Sequence, residues 1–132
     1  MVPLRTKSDL VESLAQPRAF VFLWVNWAVH ARSSQQVVDE VLESWQTAHP
    51  DLPAPCHIAD LSEQGGEVWD AVAEWLARES RPAGQLMLSG VGPLLWLREG
   101  RIVAHVLNAN QFGAAKLLAA SSSIWSPDTA PA

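Results

Sequence analysis

The sequence predicts an α/β sandwich built on a mixed central sheet, and three observations carry that prediction. Ala19-Phe-Val-Phe-Leu-Trp-Val-Asn26 is almost wholly apolar, β-branched or aromatic, the pattern of a strand covered on both faces. Helical and extended segments alternate through most of the chain. Near the end, two apolar runs flank Glu99-Gly100, as the strands of a tight hairpin do.

The elements follow in order. Ser8 is a candidate cap for a first helix reaching about Ala15, with Asp9 and Glu12 in its opening turns and Pro17 as its stop. The central strand comes next. A second helix is expected to open at Ser33 or Ser34 and to run to about Ala48, because Val37, Val38, Val41, Leu42 and Trp45 recur at helical spacing. Pro50, Pro53 and Pro55 mark a loop. Cys56-His-Ile-Ala-Asp60 reads as a second, parallel strand. Residues 67–79 are strongly amphipathic, with Val68, Trp69, Val72, Trp75 and Leu76 on one stripe, and Arg81-Pro82-Ala83-Gly84 closes that helix. Residues 85–88 read as a short extended segment. The hairpin spans residues 93–107, and a last helix spans residues 111–120. Residues 1–120 are expected to form one domain. Residues 121–132 are Ser- and Pro-rich and are expected to fray, with Trp125 as a candidate anchor.

Composition narrows the function classes. A chain of 132 residues with 48% hydrophobic residues is one globular domain that needs no staple. Its net charge of −5, with nine Lys and Arg scattered along it, offers no footprint for a phosphate backbone, so nucleic acid is set aside. The longest apolar run, from Ala19 to Val25, is too short for a membrane span, and the first ten residues lack a signal-peptide pattern. The one cysteine, Cys56, can form no internal disulfide and fits a reducing, cytoplasmic setting. Seven Trp and no Tyr point to a core rich in indoles.

The order of elements, closed by a hairpin and a helix, resembles thioredoxin. Three stretches carry the resemblance over about residues 8–120. Phe22-Leu-Trp24-Val-Asn-Trp27 looks like the strand and Trp that lead into the family's active-site helix. Asp60 ends the next strand, where thioredoxins commonly carry an Asp. Gly92-Pro93-Leu-Leu-Trp-Leu-Arg-Glu-Gly100-Arg-Ile-Val resembles the family's cis-proline, its following strand and its Gly turn. The resemblance implies a three-layer sandwich with helices on both faces of the sheet. Between Asp60 and Pro93 the chain is longer than the family pattern, so the helix around residues 69–78 is lengthened or inserted.

The departures fall on the chemistry. Thiol–disulfide exchange needs a thiolate to attack and a second thiol to resolve the mixed disulfide. Counting from Trp27, the two cysteine positions hold Ala28 and Ala31, with Val29 and His30 between them. Phe22 stands at the family's buried acid, and Cys56 corresponds to that acid's Lys partner. Dithiol oxidoreductase activity is therefore not expected. The resemblance implies instead a redox-inactive interaction or scaffold module. It would bind a protein or peptide through a groove lined by Trp27, His30, Gly92 and Pro93, as a monomer or weak homodimer, without a cofactor.

An alternative stays open: a single-cysteine redox protein using Cys56, with His30 approaching it, or a glutathione-binding protein using the Pro93 loop. A lone Cys is more often a small buried hydrophobe, and the adjacent His57 points to the other face of the strand. His30, His49, His57 and His105 lack a metal-ligand spacing. Leu88-Ser-Gly-Val-Gly-Pro93 lacks a P-loop ending, and no nucleophile elbow is present. A trans bond before Pro93, or a foreign sheet order, would point to an unrelated α/β binding domain.

Overall fold

The computed structural model describes residues 1–125, which run β1 (Val2–Leu4), α1 (Lys7–Leu14), β2 (Arg18–Trp24), α2 (Val29–Ala48), β3 (Cys56–Asp60), α3 (Glu67–Arg78), α4 (Ala83–Leu88), β4 (Leu94–Arg98), β5 (Arg101–Val106) and α5 (Ala109–Trp125). One sheet has the strand order β1-β3-β2-β4-β5. β3 is parallel to both β1 and β2, while β4 is antiparallel to β2 and β5. The expected mixed sheet and α/β architecture are present.

Strand β2 shows why the sheet is covered on both sides. Val21 and Leu23 face one way and pack with Leu10, Val72, Trp75, Leu76 and Leu95 beneath α1, α3 and α4. Phe20 and Phe22 face the other way and pack with Val38, Val41, Trp45, Leu94, Trp96, Leu117 and Trp125 beneath α2 and α5. Alternation sends successive residues to opposite faces, so the apolar run at residues 19–23 needs a helix layer on each. Four of the seven Trp are buried, namely Trp45, Trp75, Trp96 and Trp125.

Several local expectations are corrected. Thr6, not Ser8, caps α1: its hydroxyl accepts from the Asp9 N–H at 3.2 Å, and Asp9 accepts from the Thr6 N–H at 3.0 Å. That reciprocal pair satisfies two helix-end donors. The Asp9 carboxyl is held below its usual range, first by the Arg5 backbone N–H that it accepts. Residues 85–88 are helical rather than extended, because winding them into α4 buries Leu86 and Met87 and lets the Leu86 N–H reach the Pro82 carbonyl at 3.0 Å. β1 had no sequence signal. It is a three-residue edge strand with Pro3 at its middle, too short for any periodicity.

The largest correction lies at the C-terminal end. α5 continues past residue 120 to Trp125, with a kink at Gly113. Ser121 is buried; its hydroxyl donates to the Leu117 carbonyl at 2.8 Å and accepts from the Trp96 indole at 2.9 Å. Trp125 is 4% exposed, sits edge-on to Phe20 and Trp45, and donates to the Leu97 carbonyl at 3.1 Å. Residues 121–125 therefore belong to the folded body, and the anchor reading of Trp125 fits its position. The remainder of the expected tail, residues 126–132, lies outside the described residues.

The hairpin turn forms as expected. Glu99 and Gly100 both adopt positive φ (52° and 78°), the conformation of the turn that matches strand twist. A side chain at Gly100 would also press on the Leu14 carbonyl, 2.6 Å from where its Cβ would stand.

Two predictions follow from this packing. Trp125→Ala removes an indole from two aromatic partners and a hydrogen bond, and should cost about 3–5 kcal/mol of unfolding free energy in urea titration. A loss below about 1 kcal/mol would show that the last turn is dispensable. The second concerns pH. Burial lowers the His57 and His105 imidazoles below their usual 6.5, against the pull of Asp9 and Glu12 on His57 and with the push of Arg81 on His105. The unfolded chain then takes up protons before the folded one, so stability is flat above about pH 6.5 and falls as pH drops below it. His57→Leu should show a smaller acid-side fall in urea midpoint than the parent chain. An identical fall would remove His57 from the account.

Candidate functional site

Trp27 follows β2 and begins the connection to α2. Its side chain is 61% exposed, and that of Val29 is 78% exposed. One wall of the Trp27 ring lies on Gly90: a Cβ there would meet the ring's Cη2 at 2.7 Å and the Ala28 Cβ at 3.2 Å. Gly90 has φ +67°, so both the backbone and the ring require glycine. Leu88, 55% exposed, ends α4 two residues earlier. Together with Trp27 and Val29 it makes the sheet's C-terminal end unusually apolar at the surface.

α2 begins at Val29, four residues before the nearer of the two expected caps. Ala28 occupies the cap position and supplies no side-chain bond, and no acidic residue stands in the first turn. Ala31 is fully buried and draws the opening turn onto the sheet, while His30 and Arg32 point outward. Of the four residues expected to line a groove, Trp27 and His30 are thus at the surface.

Gly92 and Pro93 are not. Both are buried, and the bond between them is trans, since no cis peptide occurs among the described residues. The chain makes the turn through Gly92 itself, at φ +80°. The Gly92 carbonyl accepts from the Ala109 N–H at 3.2 Å, and the Pro93 carbonyl accepts from the Leu23 N–H at 3.0 Å. Both of these carbonyls thus accept bonds from within the fold. The expected cis-proline groove is replaced by a closed loop carrying an exposed aromatic.

Ser34 holds that loop, a role the sequence reading missed. It is fully buried, donates to the Val91 carbonyl at 2.7 Å and accepts from the Asn110 N–H at 3.1 Å. A Cβ on Gly92 would stand 2.8 Å from the Ser34 Oγ. The available signal was its spacing: Ser34 precedes Val38, Val41 and Trp45 on the buried stripe of α2, where a polar residue needs a partner.

Cys56 lies elsewhere. It opens β3, whereas Asp60, at the other end, pairs with Trp24 just before the Trp27 turn. Four strand residues span roughly 13 Å, so His30 does not approach the thiol. Cys56 is buried, and burial pushes its thiol up to about 12. Phe22 is fully buried in the layer beneath α2 and α5. Among the described residues, no three His, Cys, Asp or Glu side chains converge as metal ligands, and no helix is long and apolar enough to cross a membrane.

A concavity of about 550 Å³ lies at the opposite end of the sheet from Trp27, lined by Leu42, His49, Pro53 and Pro55 among others. A smaller one, of about 290 Å³, lies between Arg5, Asp60, Glu63 and Trp69. Neither includes an expected site residue other than Cys56 at the floor of the first.

No family model matches the sequence, and no curated protein does. Solved structures do match the fold. Thioredoxin O2 from Arabidopsis thaliana in the oxidized state is 14% identical, with a TM-score of 0.61 over 94% of this chain and 93% of that one. Thioredoxin f2 from Chlamydomonas reinhardtii is 14% identical, with a TM-score of 0.59 over 96% and 98%. Fasciola hepatica thioredoxin is 16% identical, with a TM-score of 0.50 over 91% and 98%. The chain has the thioredoxin fold even though the bond before Pro93 is trans, so that bond does not mark an unrelated domain, and it lacks the Cys-x-x-Cys pair, because Cys56 is its one cysteine.

The thiol yields a direct prediction. Under native conditions Cys56 should resist iodoacetamide at pH 8 and react only on unfolding, since both burial and the raised pKa withdraw the thiolate. Native alkylation at the rate of a free thiol would overturn the buried assignment.

Proposed function

We propose that this thioredoxin-fold chain is a redox-inactive interaction module that binds a protein or peptide at the apolar surface around Trp27. One observation carries the reading: a large aromatic stands 61% exposed at the end of the central strand, where Ala28 and Ala31 leave no thiol to do chemistry. An indole costs little rotamer entropy when it is covered and contributes more area than most side chains, which makes it a frequent anchor of interfaces. Here the ring lies against Gly90, a contact that favours one orientation before a partner arrives. Val29 and His30 extend the contact surface along the first turn of α2.

The closed Gly92–Pro93 loop shifts the proposed mode of binding. Recognition rests on side-chain contact with Trp27 and its neighbours rather than on backbone pairing at the proline. The alternative built on Cys56 has no support in its surroundings, since the thiol is buried at the other end of β3. A cytoplasmic setting belongs to the proposal, supported by a single free cysteine.

Two measurements test the proposal. In an insulin-reduction assay coupled to a thioredoxin reductase, the protein should give the uncatalysed rate, and turnover above it would sink the redox-inactive reading. A panel of extended peptides titrated against the isotope-labelled protein should shift the amides of residues 27–32 and 88–91. For any peptide that binds, Trp27→Ala should weaken affinity by about 2 kcal/mol, or roughly 30-fold. Binding that is indifferent to Trp27→Ala would place the interface elsewhere.

A further inference from the structure

The chain that leaves α3 is tied to β5 by two side chains, and the two ties differ in chemistry. α3 ends at Arg78, Glu79 caps it, and Ser80 takes a left-handed φ of 57°. Glu79 precedes that reversal and Arg81 follows it. The Glu79 Oε1 accepts from the Ile102 N–H at 2.8 Å, and the Arg101 Nε donates to both Glu79 oxygens, at 2.8 and 3.2 Å. This first tie contains no imidazole. The second does. Arg81 Nη2 donates to the Ile102 carbonyl at 2.8 Å, and Arg81 Nη1 lies 3.1 Å from the His105 Nδ1. A guanidinium has donors only, so the His105 Nδ1 is the acceptor and the ring is neutral, with its proton on Nε2.

A proton added to Nδ1 undoes that contact in two ways. It sets one N–H against another, and it places a second positive charge beside the first. The guanidinium is planar and stiff, so its two arms move together: Nη2 leaves the Ile102 carbonyl as Nη1 leaves the ring. The surroundings do not offset the new charge. The strand partner of His105 on β4 is Leu95, and α4 carries no ionisable side chain. At the end of α3 the Glu79 carboxylate is engaged by Ile102 and Arg101. Among the described residues, Arg81 is the one charge that bears on the ring; burial first and Arg81 second hold the imidazole below its usual 6.5. The latched form therefore binds the proton less readily than the released form. The latch holds above about pH 6.5 and weakens as pH falls below it.

We propose that Arg81 and His105 form a pH-operated latch, in which a proton on His105 releases the connection between α3 and α4 from β5 while Glu79 keeps the end of α3 in place. Ser80 lies between the held and the released side chain, at a positive φ that favours relaxation once Arg81 is free. The latch is independent of the Trp27 surface, which lies on the connection between β2 and α2.

NMR of the isotope-labelled chain from about pH 7.5 to about pH 5, the range in which histidine titrates, provides the test. The His105 ring should titrate below 6.5. The heteronuclear NOE of the Ser80, Arg81 and Ala83 amides should fall with the same midpoint, while the amides of β2 keep their protection from exchange. In Arg81→Gln the His105 midpoint should move up toward its usual value, and the same amides should already be loose at the upper end of the range. In His105→Gln the side-chain oxygen still accepts from Arg81 but gains no proton, so these amides should stay ordered throughout. Titration of His105 with no change at residues 80–83 overturns the proposal. So does loosening that persists in His105→Gln, or loss of β2 protection in step with residues 80–83, which would be global unfolding. Should His105→Gln fail to fold, the parent titration and Arg81→Gln decide the matter by themselves.

Discussion

The indole of Trp125 sits where α2, α5, β2 and β4 meet, and the packing of that face depends on it. Its ring meets Phe20 at a centroid distance of 4.7 Å and Trp45 at 5.2 Å, both edge-on, while its N–H reaches the Leu97 carbonyl. Edge-on contacts place the positive rim of one ring against the negative face of another, which adds direction to apolar burial. Trp96 extends the cluster toward Phe20 and ties it to α5 through Ser121. Four aromatic residues from four elements thus fix how two helices lie on the sheet. Little of that order would survive if α5 stopped before Trp125.

The other end of the sheet is organised by one hydroxyl. Ser34 joins α2 to the loop before β4 and to the start of α5, and it does so from a position that must stay small because Gly92 passes against it. The same loop carries Gly90, which seats the Trp27 ring. The exposed aromatic is therefore supported by a chain of close contacts running from the buried stripe of α2 to the surface. This explains how the fold holds an apolar residue in water in one orientation. Side-chain entropy that is already lost is not lost again on binding.

The one cysteine, Cys56, is buried, which pushes its thiol up to about 12. Ala28 and Ala31 follow Trp27 into α2, the latter fully buried, and Phe22 is fully buried on β2. An aromatic side chain here carries no charge to desolvate, and Phe22 packs in one layer with Leu94 and Val38. The remaining thiol is itself part of that apolar layer. Ala31, by contrast, packs on the opposite face of the sheet, with Val21 and Leu23.

The sequence by itself determined the sheet and most of its cover. A strand with no polar residue must be buried on both faces, a 3.6-residue apolar stripe must lie on a surface, and Glu-Gly between two apolar runs must turn tightly; β2, α2, α3 and the β4–β5 hairpin follow from those local rules. It also determined the absence of a Cys-x-x-Cys pair, since absent atoms need no structure to be read. Tertiary contact decided the rest. β1 exists only because β3 has an open edge for three residues to join. Residues 121–125 are helical because Ser121 and Trp125 find partners on β4, although a Ser-rich run taken alone reads as a frayed end. The Gly92–Pro93 bond is trans, and both residues are buried, because Gly92 can turn the chain at positive φ while Leu23 and Ala109 take up the carbonyls. Burial of Cys56 and exposure of Trp27 were likewise set by which elements lie above them. Local pattern fixes what a segment can be, but a side chain's access to water is a property of its neighbours, and those are distant in sequence.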